Sequence, residues 1–232
     1  MYKYLFWDID GTVLYFLAAE RAALKALFPK FGLGECTDEM HLIYSAINTS
    51  HWEMLERGEA SREEIIVHRY KEFFEQMGLD VSKAEAFNEA YEYSLGTYAH
   101  FMPYAKEVLE AQKAGGKYKL IAVTNGSRDV QVRKLSLSGL DQIFDSVYIS
   151  QDVGYEKPSK AFFDYVFERE GIEDPKEALI IGDSLSSYMR GGLTSGIDTC
   201  WYNPGHKPND KGINVTYEIN DLRQVPGITG LG

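Results

Sequence analysis

The sequence predicts an α/β protein built on a parallel sheet, interrupted after its first strand by a small α-helical domain. Two observations carry this. Short apolar runs alternate with amphipathic helical patterns along most of the chain, whereas residues 16–98 contain helical patterns and no strand pattern. Strand alternating with helix means a parallel sheet covered on both faces. The unbroken apolar character of the runs suits strands buried on both sides. Residues 1–15 and 99–232 therefore form a Rossmann-like core, and residues 16–98 an inserted helical domain.

The first strand is 4–7 (YLFW), which ends at Asp8. In the insertion, 17–28 and 83–98 read as helices. Residues 61–77 open on Ser61 with Glu64 three positions on, a capping box, and place Ile66, Tyr70, Phe73, Phe74 and Met77 on an apolar face. Arg57 and Arg69 are expected on a solvated face. Residues 103–114 set Ala105, Val108 and Leu109 on one side and stop at Gly115–Gly116. Strand 119–123 (KLIAV) runs into Thr124–Asn125–Gly126, and strand 146–150 (SVYIS) follows. Ser159 opens a helix over 159–170 with Phe162, Phe163, Val166 and Phe167 at helical spacing. Strand 178–181 (ALII) meets Gly182–Asp183–Ser184, and a helix follows over 185–194, in which Gly191–Gly192 permits close packing on the sheet. Strands 199–202 and 215–219 complete the series.

Composition narrows the function classes. The chain is 44% hydrophobic and 25% charged, ordinary for a globular protein, with a net charge of -11. So negative a surface repels phosphate backbones, which argues against a nucleic-acid polymer as partner but not against a small phosphorylated ligand in a local site. More than half of the excess negative charge lies in 16–98, as if that stretch were a separate unit. Cys36 and Cys200 stand far apart in no metal-like spacing and read as reduced thiols. No basic leader with an apolar core and no run of ~18 apolar residues is present, so a soluble, cytoplasmic protein with no membrane contact is expected, as a monomer or dimer.

Four strand ends carry polar groups: Asp8 and Asp10, Thr124 and Asn125, Lys157 beyond the third strand, and Asp183. In a parallel sheet these converge on the carboxyl edge, where ligands bind. Asp8 and Asp183 are hard oxygen ligands with no soft donor nearby, which suits Mg2+. Lys157 adds a point charge, and Thr124 a hydroxyl beside amides that can cradle an anion. A divalent cation, a lysine and such donors describe a phosphoryl site. One carboxylate can attack phosphorus and another, two residues on, can move the proton.

In this order, DIDGT, TNG, the lysine of EKP and GDS resemble the four motifs of the haloacid dehalogenase-like (HAD) phosphatase superfamily, over essentially the whole chain. The helical insertion resembles that superfamily's small α-helical cap domain. The run SVYISQDVGYEKPSKAFFDYVF, with IIGDSLSS and TCWYN, is similar to the non-canonical pyrimidine 5′-nucleotidase branch. The resemblance implies Asp8 as nucleophile and metal ligand. It implies Asp10 as general acid/base and, through its carbonyl, a metal ligand. Thr124, Asn125 and Lys157 would bind phosphate, and Asp183 would complete the Mg2+ ligands. The implied activity is Mg2+-dependent hydrolysis of a small phosphorylated metabolite, a pyrimidine nucleoside 5′-monophosphate, through an aspartyl-phosphate. The alternatives are a sugar-phosphate phosphatase, a phosphomutase or a degenerate, non-catalytic binding protein.

Tyr188 departs from the family, which commonly has an acid there. A tyrosine, with a pKa of about 10, cannot supply that charge. Losing an outer partner of a metal ligand typically costs about 10–100-fold in affinity or activity. Ser184 and Ser187 are candidate replacements. Tyr15, Phe16, His51, Trp52 and Tyr104 are aromatic candidates for a ligand face, set against the commoner role of such residues as core.

Overall fold

The computed structural model describes residues 1–230. The chain divides into two compact units: Met1–Tyr15 with the chain from Ala99 onward, and Phe16–Tyr98.

The first unit is built on a six-stranded sheet. Its strands are β1 (Tyr4–Trp7), β2 (Lys119–Thr124), β3 (Ser146–Ile149), β4 (Ala178–Gly182), β5 (Asp198–Tyr202) and β6 (Tyr217–Ile219). All neighbours are parallel, in the order β3-β2-β1-β4-β5-β6. The strand expectations are met, including the short last strand. β1 lies between β2 and β4, with Phe6 opposite both Ile121 and Ile180. Chain order reverses across this strand, so the crevice beyond its carboxyl end is the natural ligand site of such a sheet.

The second unit holds α1 (Phe16–Lys30), α2 (Asp38–Glu56), α3 (Arg62–Gln76) and α4 (Ala84–Leu95). Phe28, Tyr44, Tyr70, Phe73, Phe74, Phe87 and Tyr91 are fully buried there. The Ser61–Glu64 capping box forms as its spacing predicts. The helix α2 has no counterpart among the expected elements, although Thr37 caps its first turn. Arg69 corrects the expectation of a solvated face: it is 3% exposed. Its guanidinium donates to Asn48 Oδ1 at 2.8 Å and Asn88 Oδ1 at 3.0 Å, and lies over the Tyr70 and Tyr91 rings. The buried face of α3 accordingly runs through Arg62, Ile65 and Arg69, while Ile66 and Met77 are only half-buried. Arg57 does lie on the surface, paired with Glu59.

Back in the first unit, α5 (Ala105–Gly115), α6 (Arg128–Ser138), the short α7 (Ser150–Val153), α8 (Lys160–Glu170), α9 (Arg190–Thr194) and α10 (Val225–Thr229) accompany the strands. One apolar cluster joins Leu5, Trp7, Val108, Leu109 and Leu120. The other joins Phe6, Ile121, Phe162, Phe163, Val166 and Ile180. Both sheet faces are thus covered. Among the described residues, no helix is long and apolar enough to cross a membrane.

Close approach is needed at Gly192 in α9. A Cβ there would lie 2.7 Å from Ile180 Cγ2 and 2.8 Å from Thr199 Cγ2. Gly227 in α10 faces open space. Gly192→Ala should therefore cost about 1–3 kcal/mol by overpacking. Gly227→Ala should be neutral or stabilise by up to about 1 kcal/mol. Urea denaturation of the two variants checks the contrast.

Candidate active site

Asp8 sits one residue beyond β1, and its amide donates to Ile181 O of β4 at 3.0 Å. The carboxylate is therefore carried on the pairing of the two strands that flank the crevice. It is completely buried. Thr12 Oγ1 donates to Asp8 Oδ2 at 2.7 Å, and the Tyr188 phenol donates to Asp8 Oδ1. Burial pushes the Asp8 carboxyl up to about 6, against the opposing pull of the Lys157 ammonium and these two donors. Gly11 turns the chain away with φ +93°; a Cβ on it would lie 2.4 Å from Asp183 Oδ2.

Asp183 follows β4, and its carbonyl accepts from Trp201 Nε1 at 2.9 Å. The protein packed around its carboxyl and, next, the charge of Asp8 both push it above the ordinary range. The residue still exposes surface to solvent, which tempers the first effect. Asp8 and Asp183 thus form a close pair of acids whose charges repel.

Lys157 is fully buried. Its Nζ donates to Val123 O at 2.8 Å and stands 3.6 Å from the centroid of the Tyr188 ring. Its backbone is gripped by Asn125: the Lys157 amide donates to Asn125 Oδ1 at 3.0 Å, and Asn125 Nδ2 donates to Lys157 O at 2.9 Å. The Asn125 side chain thus anchors the lysine. Thr124 Oγ1 accepts from Gly126 N at 3.0 Å. Asp10 accepts from Gln131 Nε2 and Lys134 Nζ, each at 2.6 Å.

Tyr188 is more than packing on the first turn of a helix. Leu185–Met189 forms a π-helical turn rather than the first turn of the expected α-helix. The ring lies against Gly182, where a Cβ would come 2.7 Å from Tyr188 Cγ. Burial and the Asp8 charge raise the phenol far above its ordinary range, so it acts as a neutral donor. Ser184 is occupied locally, accepting from Ser187 N at 3.2 Å.

Thr12, Gln131, Lys134 and Trp201 also reach the site and are not among the residues that the motifs single out. Thr12 stands four residues after Asp8 within the motif, and Gln131 and Lys134 fall on the buried face of α6 beside Val130 and Leu135. A lysine on an apolar face was the available signal. Of the aromatic candidates, Tyr15 and Tyr104 are exposed, Phe16 and Trp52 half-buried, and His51 buried. The Arg223 guanidinium covers the Tyr104 ring at 3.9 Å.

Among the described residues, no three His, Cys, Asp or Glu side chains form a metal-holding group. The donors that do meet are the carboxylates of Asp8 and Asp183. All are hard oxygens, which fits Mg2+, a cation that keeps several of its waters.

A buried carboxylate with a lysine and a second acid, at the carboxyl edge of a parallel sheet, has the parts of a phosphoryl-transfer site. The haloacid dehalogenase-like hydrolase family model matches residues 2–191, and the chain belongs to this family. It is 35% identical to the HAD-hydrolase YfnB of Bacillus subtilis, over 97% of this chain and 94% of that one. The crystal structure of YfnB, described as bound to magnesium, superposes with a TM-score of 0.91 at 34% identity, covering 98% of both chains. The pyrimidine 5′-nucleotidase PynA of Streptococcus pneumoniae is 31% identical over 94% of this chain and 91% of its own length. The pyrimidine 5′-nucleotidase YjjG of Escherichia coli is 29% identical over 97% and 96%.

Replacing Tyr188 by Phe removes one of the two donors that hold buried Asp8. Tyr188→Phe should lower stability in chelator-treated buffer by roughly 1.5–3 kcal/mol, the range for a hydrogen bond to a charged group. An unchanged urea midpoint would mean that the phenol contributes nothing there.

Proposed function

We propose that this enzyme is a Mg2+-dependent phosphomonoesterase acting on nucleoside 5′-monophosphates, with a preference for pyrimidines. The single observation that carries the chemistry is buried Asp8, with Lys157 fixed close by and Asp10 two residues on. The nucleotide assignment draws on the similarity to PynA and YjjG.

In this reading, Asp8 attacks phosphorus and becomes the aspartyl-phosphate. Asp10 first protonates the leaving oxygen and then takes a proton from the attacking water. Lys157, anchored by Asn125 and Val123 O, balances the charge of Asp8 and of the phosphoryl group. The Thr124 hydroxyl receives the Gly126 amide and keeps its own proton to donate to a phosphoryl oxygen. Mg2+, held by Asp8, the Asp10 carbonyl and Asp183, would supply positive charge against the phosphoryl oxygens. Asp8 Oδ1 and Oδ2 each accept one hydrogen bond, from Tyr188 and Thr12, and each keeps a lone pair to offer to Mg2+ or phosphorus. Residues 16–98 are, in this reading, the superfamily's helical cap domain.

The hold of Tyr188 on Asp8 favours a second reading, a binding protein that no longer turns over. Phosphate release from UMP, dUMP, dTMP, purine nucleotides and sugar phosphates, with and without Mg2+, decides between them. We expect Mg2+-dependent release, highest on pyrimidine nucleotides, with Asp8→Asn lower by at least about a thousandfold. No release at any Mg2+ concentration would favour the binding protein. Tyr188→Asp restores a carboxylate beside Lys157 and should tighten Mg2+ by about 10–100-fold, read by calorimetric titration.

A further inference from the structure

Lys134 and Gln131 lie outside the four motifs, yet both reach Asp10. They stand on α6, which follows the turn after β2. Lys134 Nζ pairs with Asp10 Oδ1 at 2.6 Å, and Gln131 Nε2 donates to Asp10 Oδ2 at 2.6 Å. The Lys134 side chain is 1% exposed, whereas that of Asp10 keeps 21%. Gln131 is fully buried. Each carboxyl oxygen thus has its own buried donor, and the group cannot rotate without breaking both contacts.

Core packing alone does not ask for this pair. Burying an ammonium carries a desolvation penalty that an apolar side chain of similar volume avoids. The same helix face already carries Val130 and Leu135. The neighbouring turn is shaped for the contact as well. A Cβ on Gly126 would lie 2.1 Å from Gln131 Nε2 and would push that amide from its place.

We propose that Lys134 and Gln131 are positioning residues that hold the Asp10 carboxyl at a single orientation beside Asp8 for proton transfer. This rests on the phosphatase reading. In its first step the bond from Asp8 to phosphorus forms, the bond from phosphorus to the ester oxygen breaks, and that oxygen takes the proton of Asp10. In the second, water attacks the same phosphorus, its proton passes to Asp10, and the bond to Asp8 breaks. The proton that Asp10 gave is returned, and the sum is ester plus water to alcohol plus phosphate. Both transfers need the same carboxyl in the same place.

The leaving group tests this. A nucleoside 5′-oxygen must be protonated as it departs, whereas p-nitrophenolate leaves unaided. Comparing kcat/KM on UMP and on p-nitrophenyl phosphate therefore isolates proton donation. Lys134→Met should reduce kcat/KM on UMP by at least about tenfold, part of the 10²–10⁴-fold that a general acid contributes. On p-nitrophenyl phosphate it should fall by less than about threefold. Lys134→Arg should recover most of the UMP activity. Gln131→Leu, which keeps the ion pair, should shift the ratio in the same direction and serves if Lys134→Met does not fold. An equal fall on both esters, or no fall on either, would overturn the positioning role while leaving the phosphatase reading intact. An unmodified protein that hydrolyses neither ester would overturn both.

Discussion

A carboxylate buried at the tip of the central strand is the constraint on which the rest of this structure depends. Asp8 is fully buried. Such a group is tolerated only where donors and opposite charge surround it. Thr12 and Tyr188 supply the donors, and Lys157 supplies the charge. Each comes from a different part of the chain: the loop after β1, the π-helical turn after β4, and the segment between α7 and α8. The parallel sheet brings these together because it collects all of its strand ends on one edge.

Lys157 carries the same problem with the opposite sign. A buried ammonium needs acceptors, and its position follows from how they are arranged. Val123 O receives its head, the Tyr188 ring lies beneath it, and the Asn125 amide grips its backbone at both ends. At position 188 the face of an aromatic ring serves the lysine, since a ring attracts a desolvated cation, and the hydroxyl of the same residue reaches Asp8. One side chain thereby meets both charges, which gives a physical account of how a neutral residue is accommodated there.

The helical unit shows a related economy. Arg69 sits between two asparagines and two tyrosine rings in an aromatic core. Asn48 also receives Trp52 Nε1 at 3.1 Å and donates to buried Glu20 at 3.0 Å. A core that includes a connected polar group resists repacking more than an all-apolar one, because each alternative arrangement leaves a polar atom unpaired.

Strand positions, the parallel α/β class, the Ser61 capping box and the acids at the strand ends were legible in the sequence. Each is written locally: a run of apolar residues, a spacing of three, a carboxylate ending a strand. The helix α2 was missed although its cap at Thr37 is equally local, because a mixed pattern of buried histidine, asparagine and tyrosine does not read as an apolar stripe. Arg69 was placed on the surface because an isolated guanidinium reads as solvated, and its partners come from other helices. Tyr188 meets Asp8 across 180 positions, and Lys134 meets Asp10 across 124. The sequence by itself determined which side chains stand at the strand ends, because backbone periodicity and strand ends are short-range properties. Only the tertiary structure decided which neighbours hold them, because a buried charge is matched by whatever the fold brings within about 3 Å, and nothing local in the chain encodes that distance.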